Sequence, residues 1–499
     1  MSAISNKHVQ HLSATQTARQ LSSLQRKLIG TQAITNNITH IASANQVSRN
    51  FVYNQKDKAL LGIEKAFTPA PTGVLYHIPV TVEWVKSFAL GLALHCKASY
   101  RGIQKMLEDL LDYSMSLGSI SNLMNETALV AKAHNQAQDL SKVRLGAHDE
   151  MYAYGRPILA GIDIPSFYCY LLSQEKSRDT VTWAINLLDL QKQGFNPERV
   201  IADDADGLRN AHAMVMGDIP CDYDHFHISK DMMDLRRFLK NRLRTAETEY
   251  FEAAVMATDA ALDKTKAKYT NQLSALEREF NLLNHISPTI NTLISWMEHD
   301  VFNMPGSPIK LRRELFNFIL QEFEALAKMH PHRIHGLCTK LRNQRDGLLA
   351  FVDVLDCKFH DIAKKHNCTL DVVWRICQLQ RCTYYGDTYH QRSLPILDEV
   401  GEELFDLIED GVLAALNSTE KTSSAVENLN GRTKSYLHNR KECNQSFLDF
   451  ICFYLNHTPF RRSARESRVG RSPTEILTGK QHPHWLEILG YSRFKRAAA

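Results

Sequence analysis

The stretch RLGAHDEMYAYGRPILAGIDIPSFYCYLLSQE, residues 144–175, decides the fold that this sequence predicts. It divides into three short segments rich in β-branched and aromatic residues, with tight-turn sequences between them, a pattern typical of an antiparallel meander. An amphipathic helix follows over residues 179–194, then a short apolar strand in RVIADDADG, residues 199–207, and a further helix over residues 208–217. The sequence therefore predicts a βββ-α-β-α order in which strands carry or end in carboxylates.

Two aspartates lie in apolar strand contexts within this region. Asp149 falls in the middle of the first predicted strand, and Asp203 ends the fourth, which should lie beside the first. An unpaired charge is costly in such a context unless a cation compensates it. Asp204 could replace Asp203 if the strand register shifted by one residue. Glu150 should point to the opposite face of the sheet, and Asp163, at the end of the second strand, is a weaker rival.

The regions on either side of this sheet are helical in pattern. Residues 236–418 contain almost no strand-like sequence, and we interpret them as an all-α insertion that interrupts the sheet-containing domain. The predicted class is a multidomain α + α/β protein. Its predicted parts are residues 1–65 and 66–140 as two helical regions, 141–235 and 419–480 as two parts of the sheet-containing domain, 236–418 as the insertion and 481–499 as a tail.

The pattern of residues 1–65 is typical of a helix-turn-helix. Residues 45–47 are predicted to form the turn, and Ser48 is predicted to cap a second helix that carries Arg49, Asn50 and Tyr53 outward. A helix whose first turn offers Arg and Asn suits entry into the major groove of DNA. The alternative is an ordinary helical hairpin.

Residues 66–140 suggest a second helix-turn-helix after a Pro- and Gly-containing linker at residues 67–79. Apolar residues recur at helical spacing from Tyr100, and Leu117-Gly118 is predicted to turn into a helix that starts near Ser119 and exposes Asn122.

Bulk composition limits the other possibilities. The chain has 499 residues, a formal net charge of +4 and ten cysteines without a CxxC pair, which favours reduced thiols in a cytosolic compartment. It has neither an apolar run long enough to span a membrane nor a secretory signal, so no membrane association is expected. A basic stretch near the C-terminus is either a solvated tail or a DNA contact, with Arg461 and Arg462 as the candidate DNA-binding residues.

Five segments in order give the sequence a specific resemblance. They are AHDEMYAYGRPILAGID, VIADDADGLRNA, DHFHISKDM, SSAVENLNGRTKSYL and RVGRSPTEILTG, within residues 143–235 and 419–480. Together they resemble bacterial insertion-sequence DDE transposases, whose catalytic domain has a ribonuclease-H-like fold. The sequence departs from the uninterrupted relatives because Glu427 follows Asp203 by more than two hundred positions, a gap that the helical insertion accounts for.

The resemblance implies that Asp149, Asp203 and Glu427 hold two Mg²⁺ ions, or Mn²⁺ as a substitute, about 4 Å apart. It also implies that Asp224 and His227 lie near this site, with Asp204 as a supporting neighbour. A zinc site made of Cys221, Asp224, His225 and His227 is the less favoured alternative, because no second ligand pair with suitable spacing follows nearby.

The implied activity is cleavage and strand transfer of double-stranded DNA at the ends of a mobile element, by at least a homodimer in the bacterial cytoplasm and nucleoid. Asn430 and Lys434 share one helix face with Glu427, and we expect both to contact DNA. The rival functions are a different ribonuclease-H-like nuclease, such as a resolvase, and a domesticated DNA-binding regulator that keeps the scaffold.

Overall fold

The computed structural model describes residues 20–68, 73, 78–259, 263–330, 332–384, 386–421, 424–438, 440, 442–463 and 465–494. Most of the predicted linker and the residues before 20 lie outside these ranges. The chain forms two compact units, Met1–Pro79 and Val80–Ala499. It is mostly helical, with one small mixed sheet of five strands, which agrees with the predicted α + α/β class.

In the part of the first unit that the structure describes lie helices α1 (Ser23–Thr35), α2 (Ile38–Ala44) and α3 (Arg49–Phe67). The predicted turn between α2 and α3 is present, and the Ser48 hydroxyl accepts a hydrogen bond from the backbone N–H of Phe51, as an N-cap should. Arg49, Asn50 and Tyr53 are exposed, as predicted. Because α3 continues to Phe67, the predicted boundary at residue 65 falls inside a helix.

Three helices open the second unit: α4 (Val82–Leu94), α5 (Tyr100–Leu111) and α6 (Leu117–Ala137). The predicted turn at Leu117-Gly118 is wrong. The hydroxyl of Ser116 accepts from the backbone N–H of Ser119, so the helix is capped earlier than expected and Leu117 is its first residue. Ser119 and Asn122 are exposed. The helices share one hydrophobic core with the sheet, so residues 80–140 do not form a separate compact unit.

The sheet has the order β3-β2-β1-β4-β5. β1 pairs antiparallel with β2, and β2 with β3, which confirms the predicted meander; β1 pairs parallel with β4, and β4 with β5. The strand β5 was not predicted, because its three residues, Cys-Asp-Tyr, are too few to show a strand period. The strands are β1 (Leu145–Ala153), β2 (Arg156–Asp163), β3 (Tyr168–Gln174), β4 (Arg199–Ala202) and β5 (Cys221–Tyr223).

Each face of the sheet packs against helices. Helices α7 (Thr180–Lys192) and α8 (Asp206–Met216) pack on one face of the sheet, where residues such as Trp183 and Leu208 are buried. The opposite face packs against α4–α6 and against two helices from the end of the chain, α16 (Ser424–Leu437) and α17 (Gln445–His457). Side chains alternate along β1, so Asp149, between Ala147 and Met151, belongs to the α16 face.

The described residues between β5 and α16 form helices only, apart from connecting turns. Helix α9 begins at His225, directly after Asp224, so the helical region starts earlier than the predicted residue 236. The ends of the insertion meet, since the backbone N–H of His225 donates to the carbonyl oxygen of Lys421 over 3.3 Å. The helices are α9 (His225–Asp259), α10 (Asp263–Trp296), α11 (Ile309–Met329), α12 (Ile334–His366), α13 (Leu370–Leu379), α14 (Asp387–Val400) and α15 (Glu402–Ser418), with a π-helical turn at Met297–Val301.

The segment that follows α17 packs against the rest of the Val80–Ala499 unit. A 3₁₀ turn at Glu466–Arg468 precedes helices α18 (Pro473–Thr478) and α19 (Trp485–Ile488). Trp485 is 1% exposed and belongs to the core, so the prediction of a tail from residue 481 is wrong. Arg468 is buried and donates to the carbonyl oxygens of Ile164 and Pro165. Among the described residues, no helix is both long and apolar enough to cross a bilayer.

Candidate metal centre

Asp149 and Asp203 are brought together by the parallel pairing of β1 and β4. The register places His148 opposite Ala202, and each aspartate is the next residue of its chain segment. Asp203 lies just past the end of β4, where its Oδ1 accepts from the backbone N–H of Ala205 over 3.1 Å. The two carboxylates therefore occupy neighbouring positions, as the sequence predicts.

His227 completes a compact group with the two aspartates. One carboxylate oxygen of Asp149, one of Asp203 and one ring nitrogen of His227 all lie within 4.8 Å of one another. The Nδ1 atom of His227 is 2.8 Å from Oδ2 of the buried Asp224. A carboxylate bonded to one imidazole nitrogen orients the ring and leaves Nε2 to bind a cation.

The electrostatics of this group favour a positive charge in it. Burial, together with the negative charges of Glu427 and Asp203, raises the pKa of Asp149 to about 7, although a backbone hydrogen bond from Glu150 acts against them. The hydrogen bond to Asp224 raises the pKa of His227. A divalent cation would relieve the repulsion among the carboxylates and the cost of burying one of them.

Glu427 lies near this group but outside it. It is half-buried in the first turn of α16, the helix that packs on β1 and β2. Its charge acts on the pKa of Asp149 more strongly than that of Asp203 does. The structure thus brings Asp149, Asp203 and His227 together directly, with Glu427 as a nearby third carboxylate.

The side chain of Asn430, one turn after Glu427, is hydrogen-bonded to Asp149. Its Nδ2 donates to Oδ2 of Asp149 over 2.7 Å, and the residue is 3% exposed. The prediction that Asn430 contacts DNA is therefore wrong for this arrangement, because tertiary packing buries the amide against β1. Lys434, on the same helix, is exposed and its predicted DNA contact stays a prediction.

The rival carboxylates have other surroundings. Asp204 is exposed and lies outside the group. Glu150 lies on the opposite face, as predicted, where it accepts from Nε1 of Trp183 and from Arg178. Asp163 is buried at the far end of β2 and accepts from the hydroxyl and backbone N–H of Ser166, so its carboxylate organises a turn.

The alternative zinc set is not assembled. His225 is buried in the helical insertion, and its Nε2 is 2.6 Å from the carbonyl oxygen of Leu348. Burial raises the pKa of the Cys221 thiol to about 11, which disfavours the thiolate that zinc requires. Of the four residues in this alternative, His227 contacts Asp224, whereas His225 contacts Leu348 instead.

An open cleft of about 670 Å³ adjoins the metal-binding group. Six carboxylates, Asp203 among them, line it together with His227. Three cationic side chains, Arg178, Lys230 and Lys340, also face it, and the first and last of these are ion-paired with lining carboxylates. Cations at the rim of an acidic site can bind the phosphates of a polyanionic substrate while the carboxylates hold metal.

The donor set fits a divalent cation. It contains two carboxylates and one imidazole, and Oδ1 of Asn430 beside them is buried without a hydrogen-bond partner among the described residues. An oxygen acceptor in that position suits a hydrated cation. Compared with a set made only of oxygen ligands, a set that includes the imidazole favours Mn²⁺ over Mg²⁺.

Sequence reasoning placed His227 near the site, but not within the group itself, and it gave Asn430 a different role. The Asp-x-x-His spacing at 224–227 was a usable signal, since residues three apart in the first turn of a helix can bond to each other. No sequence signal identifies Asn430 as the partner of Asp149, because their contact depends on how α16 packs against β1.

Comparison with known proteins adds no further assignment. No protein-family model matches this chain, and no curated protein shows significant similarity to it.

The loop after β4 depends on a close approach at Gly207. A Cβ added there would lie 2.3 Å from the carbonyl oxygen of Arg178. We expect Gly207→Ala to displace the Asp203 loop, lower the melting temperature by several degrees and reduce metal affinity, since overpacking costs about 1–3 kcal/mol. Thermal unfolding and Mn²⁺ titration would measure both effects.

Gly118 provides the matched control for that substitution. It also occupies the second position of a helix, and an added Cβ would meet nothing closer than 3.7 Å. Gly118→Ala should leave melting temperature and metal affinity unchanged. Equal effects of the two alanines would contradict the role assigned to Gly207.

Proposed function

We propose that this chain is a DDE-type DNA transposase that cleaves the ends of a mobile element and joins them to target DNA. The observation that supports this most is the convergence of Asp149 and Asp203 from adjacent parallel strands, with His227 beside them and the charge of Glu427 close by. A mixed sheet of order β3-β2-β1-β4-β5, built from a βββ-α-β-α sequence, supports a ribonuclease-H-like catalytic domain.

The protein groups have distinct roles in the proposed reaction. Asp149, Asp203 and His227 would hold the divalent cation or cations, Mg²⁺ or Mn²⁺, with Glu427 completing the set. When bound, such ions activate the attacking oxygen and stabilise the leaving oxygen of a phosphodiester. Asp224 keeps the His227 ring oriented, and Asn430 holds the Asp149 carboxylate in place.

The cationic side chains of the cleft would position the DNA backbone. Arg178, Lys230 and Lys340 can pair with phosphates, which have the opposite charge. Water would attack the scissile phosphodiester and free a 3′ hydroxyl, and that hydroxyl would attack a phosphodiester of the target. Each step breaks one P–O bond and forms another, so neither needs a nucleotide cofactor.

DNA recognition is proposed for the first unit. Ser48, Arg49, Asn50 and Tyr53 surround the start of α3, a position suited to reading base edges in the major groove. We propose further DNA contacts for the exposed residues Ser119, Asn122, Lys434, Arg461 and Arg462. Joining two ends at once requires at least a homodimer on DNA.

Incubation of the protein with a plasmid that carries the DNA flanking its own reading frame tests this function. With Mg²⁺ or Mn²⁺ we expect cuts at the element boundaries with free 3′ hydroxyls, and none in a chelator. Cleavage only at branched junctions would instead indicate a resolvase, and binding without any metal-dependent cleavage a regulator.

A further inference from the structure

A second cavity lies in the Val80–Ala499 unit, away from the metal-binding residues. It has a volume of about 520 Å³, and its lining includes His95, Phe460, Arg461, His484 and Trp485. None of these residues belongs to the metal-binding group or to the cleft beside it.

The polar side chains of this cavity offer hydrogen-bond donors. Nδ1 of His484 accepts from the backbone N–H of Leu486, so in the neutral ring the proton is on Nε2. Nδ1 of His95 is 2.5 Å from the hydroxyl of Tyr454, which can donate to it and leave Nε2–H as the outer donor of that ring as well. Neither Nε2 has a protein partner among the described residues.

Two further donors lack acceptors. The guanidinium of Arg461 is exposed and forms no ion pair with any described carboxylate. Trp485 is 1% exposed, and its indole Nε1 is buried without a hydrogen-bond partner among the described residues. A buried donor of this kind costs free energy unless a ligand or water accepts from it.

The lining residues that the structure describes include no carboxylate. Glu487, whose charge reaches His484, accepts from the backbone N–H of His484 as part of a helix cap and does not line the cavity. Partial burial and the positive charge of Arg461 lower the pKa of His95. Unpaired donors beside one cation, without a negative charge, are the arrangement that binds an oxyanion.

Backbone hydrogen bonds fix the residue that precedes Arg461. Phe460 donates to the carbonyl oxygen of Arg471 and accepts from the backbone N–H of Gly470, so a short bridge closes the loop between them. Gly470 has a positive φ of 78°, which this turn requires. The backbone that carries Arg461 is therefore tied to the rest of the unit at the residue before it.

We propose that this cavity binds a phosphate group, and that its occupant is a backbone phosphate of the bound DNA outside the metal centre. The proposal rests on the proposed function for the source of the phosphate. A free phosphate would satisfy the same donors, so the experiment must distinguish the two sources.

The test measures binding of a short fluorescent duplex to the full chain in a chelator, over a range of salt concentrations. Arg461→Gln should weaken binding roughly fivefold, the effect of about 1 kcal/mol. It should also reduce the slope of log affinity against log salt by about 0.9, the value for one lost phosphate contact. The matched control is Arg471→Gln, because Arg471 is exposed, lies outside the lining and is not among the residues proposed to contact DNA. Its reduction in slope should be clearly smaller.

A second arm uses inorganic phosphate alone. Phosphate should raise the melting temperature of the wild-type chain above that in chloride of equal ionic strength, and Arg461→Gln should remove the increase. If phosphate gives this increase but the two arginine variants bind the duplex equally well, the assignment of the site to DNA is overturned. No phosphate effect and equal slopes would overturn the site. Because neither arm needs metal or cleavage, a failure here is distinct from a failure of the proposed function.

Discussion

Asp203→Asn is expected to abolish metal-dependent DNA cleavage, with a loss of more than about 10³-fold, whereas Asp204→Asn should retain nearly all activity. The two residues are adjacent, yet only Asp203 lies in the group with Asp149 and His227. Losing even a supporting residue of a metal ligand costs about 10–100-fold. A carboxylate that binds the ion directly should matter more, because asparagine keeps the shape but removes the charge.

Plasmid cleavage rates and Mn²⁺ titration calorimetry on both variants measure this pair. Asp204 is exposed, so its replacement should change neither the fold nor the metal affinity. Equal losses in the two variants would indicate that the loop, and not one carboxylate, is required. A fully active Asp203→Asn protein would remove the metal centre as described.

Asp149→Asn is expected to make the metal-free protein more stable at pH 8 while it eliminates cleavage. Burial, with the charges of Glu427 and Asp203, raises the folded-state pKa of Asp149 from 3.8 to about 7. The folded protein therefore holds this proton at pH values where the unfolded chain has lost it. Stability that is fully present below pH 4 is lost as the pH rises to about 7.

The size of this loss is on the order of 4 kcal/mol, since each pKa unit corresponds to about 1.4 kcal/mol. Asparagine cannot ionise and avoids the loss, and its side-chain oxygen can still accept from Asn430. Melting temperatures of the two proteins in a chelator should coincide near pH 4 and differ by several degrees at pH 8, with the variant higher.

Two comparisons make that result specific. Asp204→Asn should follow the wild-type curve, because Asp204 is exposed. Saturating Mn²⁺ should stabilise the wild-type chain and not Asp149→Asn, since only the former binds the ion. A variant less stable than wild type at pH 8 would show that Asp149 is paired in the metal-free protein and is not a source of strain.

Local sequence patterns predicted the parts of the site that depend on strands. Alternation along residues 145–153 places Asp149 and Glu150 on opposite faces, and the apolar run before Asp203 ends at the edge of the sheet. Both positions follow from the period of a strand. The predicted meander and its neighbouring strand are confirmed for the same reason.

The contacts that complete the site depend on tertiary packing. His227 joins the group because α9 begins directly after Asp224 and carries His227 in its first turn. Asn430 reaches Asp149 only because α16 packs on β1. Similarly, Trp485 reads as part of a polar tail, but it fills the core beside α4–α6. No local period encodes these long-range contacts.

The meeting of His225 with Lys421 has a consequence for how the molecule is made. Asp149, Asp203 and His227 leave the ribosome well before α16, which covers the Asp149 carboxylate and carries Glu427. The intervening helices have their own core, so they can fold before α16 packs against the sheet. Until then the acidic edge is unfinished, and a nascent or proteolysed fragment that ends before residue 424 lacks both the Asn430 contact to Asp149 and the nearby charge of Glu427.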